Sequence, residues 1–287
     1  MINKSTIQLL RFKFSFFLLP VYLFALSFVP TINIARALVM FFVLHLLIYP
    51  ASNGYNSYMD RDEASIGGIK RPMQPTKQLF FVTVFMDCLA SIIALYISTL
   101  TFALVLVYIG FSRLYSYRGI RLKQYPIIGY LTVILNQGGT TFFLVYHAVS
   151  QGLSTSIPID GLIISSLLIG GFYPITQIYQ HKQDALDGVK TISMLLGIRG
   201  TFIFCAVLYS CSFGLLFRHF LLLNNLMPFF ILQILFVPVI VYFLIWFIKV
   251  WKDNSNADFE HTMKMNWLAS ICTNIAFVVL IFLNQHK

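Results

Sequence analysis

Charge is what this sequence has least of. Only 10% of its 287 residues are Asp, Glu, Lys or Arg, against about a quarter in a soluble globular domain. That scarcity excludes an ordinary soluble enzyme. An aromatic content of 16% excludes a disordered chain as well. Cysteine is sparse too. Cys88, Cys205, Cys211 and Cys272 all sit in apolar stretches, which excludes a disulfide framework and leaves them as small buried hydrophobes. The first apolar run, Phe12 to Pro30, is long, so it is expected to be a membrane helix and not a leader peptide.

What is abundant is apolar. Hydrophobic residues make up 58% of the chain, and Phe alone occurs 29 times. A bilayer-spanning helix needs roughly 20 mostly apolar residues. Nine such segments can be drawn, at 12–30, 36–58, 78–98, 100–117, 127–149, 159–179, 201–221, 227–249 and 265–284. Pro50, Pro174 and Pro238 fall inside them and predict kinks. The sequence thus predicts an all-α polytopic membrane protein, a single domain over 1–287.

The net charge of +10 is distributed as orientation signals are. If the N-terminus is cytoplasmic, seventeen of the twenty Lys and Arg fall on the cytoplasmic side, and only Arg36, Arg218 and Lys287 do not. Short basic clusters between apolar runs argue for membrane lipid as the partner and against nucleic acid. They also support a multi-pass protein of a bacterial inner membrane. No protein partner can be inferred. Eight of the ten acidic residues share that side. Asp87 is alone within a span, where an ionisable group is a functional candidate by default.

Three clusters carry chemistry. In the first, Asn53, Asn56 and Asp60 recur at helical spacing, and Glu63 continues the face. A lipid-facing stripe of this kind would be expensive, so it is expected to face a cavity or a partner helix. In the second, Gln180 and Asp184 are four apart and Asp187 follows, with Tyr173 and Gln177 extending the stripe. Gly68-Ile69-Lys70 trails the first cluster and Gly188-Val189-Lys190 the second, a weak echo of two halves facing one site. The third holds Arg113, Arg118, Arg121 and Lys123 interleaved with Tyr115 and Tyr117. It reads either as a head-group signal or as a phosphate-binding group, and Arg11 lies on the same side. Carboxylates and amides suit Mg²⁺, which usually bridges a few carboxylates to substrate phosphates. Cations would hold the remaining phosphate charge, and an aromatic-rich bundle would take a hydrocarbon tail.

These residues resemble the UbiA superfamily of intramembrane prenyltransferases. Its first motif, Asn-Asp-x-x-Asp-x-x-x-Asp, falls on Asn56 to Ala64, followed by Lys70-Arg71-Pro72. Its second, Asp-x-x-x-Asp ahead of Gly-hydrophobic-Lys-Thr, falls on Gln180 to Asp184 and Gly188 to Thr191. Tyr115-Ser116 and Arg121-Leu122-Lys123 resemble its tyrosine and basic element, and Arg11 its basic residue in the first helix. The likeness covers nearly the whole chain. It implies nine helices around a central cavity open to the cytoplasmic side. It further implies Mg²⁺ and an isoprenyl diphosphate whose prenyl group passes to a lipophilic, aromatic acceptor. Asp60, Asp184 and Tyr115 would be catalytic, with Asn56, Glu63, Gln180 and Asp187 completing the metal set. Arg11, Lys70, Arg121, Lys123 and Lys190 would bind the diphosphate, and Asn53, Tyr173 and His181 would line the pocket. Three positions depart from the pattern: Ser57, Ala64 and Gln180 stand where acids are common. The alternative is a terpene cyclase of the same family, which needs no acceptor.

Overall fold

The computed structural model describes residues 2–285. Lys287 lies outside them. Among the described residues nine helices are long and apolar enough to cross a membrane: α1 Lys4–Ser27, α2 Ile34–Asp60, α3 Lys77–Ile97, α4 Thr99–Ser116, α5 Pro126–Val149, α6 Ile159–Leu186, α7 Ile192–Leu222, α8 Met227–Lys252 and α9 Phe259–Asn284. Each packs on its neighbour in sequence, and α9 closes the ring on α1.

The apolar runs set these helices, but local breaks set their ends. α1 starts earlier than the hydropathy suggests and is broken at Arg11, whose φ is 48°. A 3₁₀ stretch follows to Leu18. α7 begins nine residues before the expected 201, because Gly197 makes a kink at φ 69° that lets the helix turn and continue. α6 loosens into a 3₁₀ stretch at Pro174–Gln180 before a last helical turn. Pro174 has no N–H to continue the ladder.

Two π-type stretches, Val43–Ile48 in α2 and Ile134–Thr140 in α5, interrupt otherwise regular helices. Such bulges re-aim side chains and are common at functional sites. The second accompanies a close crossing, since a Cβ on Gly138 would lie 2.6 Å from the Cα of Ser166 in α6.

The main core joins the ring from within. Phe24 of α1 stands 4.8 Å from Phe277 of α9 and 5.6 Å from Phe142 of α5 between ring centroids. A smaller cluster, including Ile178, Phe202, Trp246 and Met265, packs α6 to α9 together near the charged end.

Asp87 is not solitary within its span. Arg113 of α4 donates through both Nε and Nη2 to its Oδ2, and the guanidinium lies 4.0 Å from the centre of the Tyr55 ring. The pair staples α3 to α4. Arg113 therefore turns away from the basic cluster in which its sequence position places it.

Candidate active site

At the charged end a cavity of about 210 Å³ opens between the helices. The last turns of α2 form one wall. Asn53, Asn56 and Asp60 share its inner face and all line the cavity. Asn56 Nδ2 donates to Asp60 Oδ2 at 2.6 Å and to Ser116 Oγ at 3.1 Å. The helix then stops at Arg61, whose φ is 55°. That turn carries Asp62 back over the cavity and leaves Glu63 exposed. Burial, and then the neighbouring Asp60 carboxylate, push Asp62 up to about 6.

The end of α6 forms the opposite wall. Tyr173, Thr176, Gln177, Gln180, Gln183, Asp184 and Asp187 all line the cavity. Gln180 Nε2 donates to Tyr179 Oη at 2.8 Å. Asp184 Oδ2 is buried and has no hydrogen-bond partner, which marks it as a carboxylate oxygen aimed at something the protein itself does not supply. Tyr115 of α4 and Tyr173 share a hydrogen bond between their hydroxyls, and Gln177 Nε2 donates to Tyr173 Oη at 2.8 Å.

The cations divide into two groups. Arg11 and Lys123 line the cavity. The left-handed break at Arg11 sends its guanidinium inward, where Nη2 donates to the Asn53 carbonyl at 3.2 Å and Nε is buried and unpaired. Lys123 Nζ donates to Asp60 Oδ2. Arg121 and Arg118 stand behind the acids instead. Arg121, only 7% exposed, bridges Asp60 Oδ1 at 3.3 Å and the Asp187 carboxylate, and it donates to the Asp187 carbonyl at 2.9 Å. Burial alone would lower its pKa, but Asp187 and Asp60 more than offset that and raise it. Arg118 Nε donates to the Met59 carbonyl at 2.6 Å, and Nη2 reaches Asp187 Oδ1 at 3.4 Å.

Five of the residues expected in the site do not line this cavity: Glu63, Lys70, Arg121, His181 and Lys190. Glu63 is lost to the turn at Arg61, and Asp62 stands in its place. Lys70 is exposed and pairs with Glu260 at 3.0 Å. Lys190 is exposed. Arg121 is occupied by its two aspartates, and His181 Nε2 is held by Ser193 Oγ at 2.8 Å. The Gly-aliphatic-Lys echo has a different physical content from two facing lysines. Gly68 and Gly188 both adopt positive φ, 82° and 68°, so the repeated feature is a left-handed turn after each acidic cluster.

Three amide side chains of the cavity have no place in the motifs: those of Asn136, Gln137 and Asn266. Their only sequence signal is an amide inside an apolar span. Asn136 Nδ2 donates to the Tyr108 carbonyl at 3.0 Å, leaving Oδ1 buried and unpaired.

The acids and amides form an all-oxygen donor set beside the positive charge of Arg11 and Lys123. Among the described residues no three His, Cys, Asp or Glu side chains form a ready-made metal cluster. Such a set suits a hard cation held by one or two carboxylates plus ligand oxygens. The unpaired Asp184 oxygen fits that demand.

A second, apolar cavity of about 300 Å³ adjoins the first. Phe17, Ile169 and Phe172 belong to the walls of both. Its exposed lining residues, Ala206 and Ser210 of α7 with Ile240 and Leu244 of α8, lie along the seam between those two helices. The space therefore runs from the polar cavity toward the bundle's lipid-facing surface.

The sequence model of the UbiA prenyltransferase family matches residues 15–282. No curated protein sequence matches the chain. Among solved structures it is similar to a UbiA homologue from Archaeoglobus fulgidus bound to GPP and Mg²⁺, at 19% identity over 97% of this chain and 99% of that one, with a TM-score of 0.67. An apo UbiA homologue from Aeropyrum pernix K1 gives 18% identity over 94% and 98%, with a TM-score of 0.71. A structure described for digeranylgeranylglyceryl phosphate synthase in membranes gives 19% identity over 99% of both chains, with a TM-score of 0.62. Likeness at these identities carries the fold.

Proposed function

The chain belongs to the UbiA prenyltransferase family, and from that premise we propose that it ionises an isoprenyl diphosphate and transfers the prenyl group to a lipophilic acceptor, aromatic in our reading. One observation carries this. A cavity lined by Asp60, Asp62, Asp184, Arg11 and Lys123 shares a wall of Phe17, Ile169 and Phe172 with an apolar cavity beneath it. A diphosphate head on a hydrocarbon tail has that same division of polarity.

In this reading Asp60, Asp62 and Asp184 hold Mg²⁺, with Asn56, Gln180 and Asp187 beside them. Bound Mg²⁺ supplies positive charge that stabilises the leaving diphosphate. Arg11 and Lys123 take phosphate oxygens, for which guanidinium and ammonium groups are the natural partners. The bond from the prenyl carbon to oxygen breaks with its electron pair going to pyrophosphate. An electron pair of the acceptor then forms the new bond, and the acceptor's proton leaves to the pyrophosphate. Tyr115 and Tyr173 line the reacting end, where aromatic faces stabilise a cation. The phosphate side is the cytoplasmic side by the basic-residue bias, and the tail follows the apolar cavity.

The test is pyrophosphate release by purified protein in liposomes given prenyl diphosphates, with and without a lipid or aromatic extract as the source of acceptor. Release is expected with Mg²⁺ and is expected to stop when the ion is chelated. No release under either condition would sink the proposal, and release with a cyclic product and no acceptor would turn it to the cyclase.

The tail path makes a separate prediction. Ala206→Trp narrows the seam between α7 and α8. Each tail CH₂ excluded forfeits about 0.8 kcal/mol, so the variant is expected to raise the KM for twenty-carbon diphosphates at least about tenfold. The ten-carbon substrate should be nearly unaffected. An equal change for both lengths, measured by pyrophosphate release, would place the tail elsewhere.

A further inference from the structure

Asn266 of α9 is 0% exposed and lines the polar cavity, yet neither its Nδ2 nor its Oδ1 has a hydrogen-bond partner. Each buried polar group left unpaired costs about 1–3 kcal/mol. Leu would fill the position without that cost. Here α9 packs on the 3₁₀ stretches of α1 and α6. From the latter comes Gln177, whose Oε1 is also buried and unpaired and which lines the same cavity. The polar end of α9 is thus built for a guest.

That guest is not the diphosphate. Phosphate charge is met by Arg11 and Lys123, and the Asn266 and Gln177 carbonyl oxygens would face phosphate oxygens unfavourably. A free amide N–H beside a free amide C=O is completed by one atom that both accepts and donates, and a hydroxyl oxygen does both. Asn274 supplies the contrast. It lies eight residues on, on the same helix face, and both its amide atoms are also buried and unpaired. It lines neither cavity.

We infer that Asn266 holds the hydroxyl of the prenyl acceptor, an amphiphile of the phenol or alcohol class. This deepens the prenyltransferase reading and rests on it. Asn266 is a positioning residue: Nδ2 donates to the hydroxyl oxygen, Oδ1 accepts a hydrogen bond from its O–H, and the acceptor is thereby turned toward the prenyl carbon. The bond changes are those of the transfer already described. Asn266 neither gains nor loses a proton.

Two matched probes test it, 4-octylphenol and its methyl ether 4-octylanisole. The ether can accept a hydrogen bond but not donate one. Their binding to the purified full-length protein is read from the dose-dependent rise in unfolding midpoint. Wild type is expected to prefer the phenol at least about tenfold, the equivalent of one buried hydrogen bond to a neutral group. Asn266→Leu should bind both probes alike, and Asn266→Ala serves the same purpose should the leucine variant not fold. Asn274→Leu should keep the preference. A preference that survives in both Asn266 variants overturns the inference, as does a wild type that shows none, because a bound water alone then completes the amide. Pyrophosphate release measured on the same samples keeps the two readings apart. Its absence beside an intact, Asn266-dependent phenol preference counts against the prenyltransferase reading and leaves the hydroxyl site standing.

Discussion

Asp184→Asn is expected to lower Mg²⁺-dependent pyrophosphate release by at least about 100-fold, the usual scale for removing one group that stabilises developing charge. Its folding should be close to wild type. Both halves follow from how the carboxylate sits. Asp184 Oδ2 is buried and has no protein partner, so the amide strands no cation and breaks no ion pair. Asp60 differs. It accepts from Lys123, from Arg121 and from Asn56, so Asp60→Asn leaves the Lys123 ammonium without its carboxylate and takes one of the two carboxylate partners of Arg121, which lowers stability together with activity. Purified yield and unfolding midpoint, measured beside turnover, separate the two cases. An Asp184→Asn enzyme with wild-type turnover at limiting Mg²⁺ would remove this residue from the proposed metal set.

Arg113→Met is expected to destabilise the protein by about 3–5 kcal/mol, the range for breaking a buried ion pair by removing one partner. Side-chain exposures of 19% for Arg113 and 14% for Asp87 place the pair near that regime. With Arg113 gone, an unpaired carboxylate remains inside α3, where a lone charge is expensive. The contact with the Tyr55 ring is lost as well. Asp87→Leu alone should be comparably harmful, because it strands the guanidinium. The double variant should recover most of the loss, since replacing both partners with apolar groups is often neutral. Unfolding midpoints of the four proteins form the cycle. Additive losses in the double variant would show that the pair is not the staple between α3 and α4.

The nine helices were legible because membrane spans are written in bulk composition, and no tertiary contact is needed to find a run of Phe, Leu and Ile. The site was half legible. Asn53, Asn56 and Asp60 keep helical spacing up to the helix end, so the shared face could be read directly. Glu63 could not, because a left-handed residue at Arg61 ends the period, and arginine gives no hint of positive φ. The same applies to Arg11, where another left-handed break turns a basic residue inward. Lys70 and Lys190, diphosphate ligands by the resemblance, lie outside the cavity lining in this structure. What repeats is the turn at Gly68 and Gly188, and it leaves both lysines in solvent. Arg113 and Asp87 illustrate the remaining gap. Two residues 26 apart in sequence become partners only once α3 and α4 are seen side by side.

Under the proposed function, the Asp60–Lys123 contact also governs how the cavity would fill. Acid and base there already neutralise one another, so the resting pocket behaves as a closed ion exchanger. A cation arriving alone must pull Asp60 away from Lys123 and strand an ammonium. A diphosphate arriving alone would pull Lys123 away and leave the Asp60 carboxylate with Arg121 as its one cationic partner. With both present, the pair would trade partners, Asp60 to the cation and Lys123 to a phosphate oxygen, and no charge would be orphaned. Each guest therefore tightens the binding of the other, and by reciprocity to the same extent.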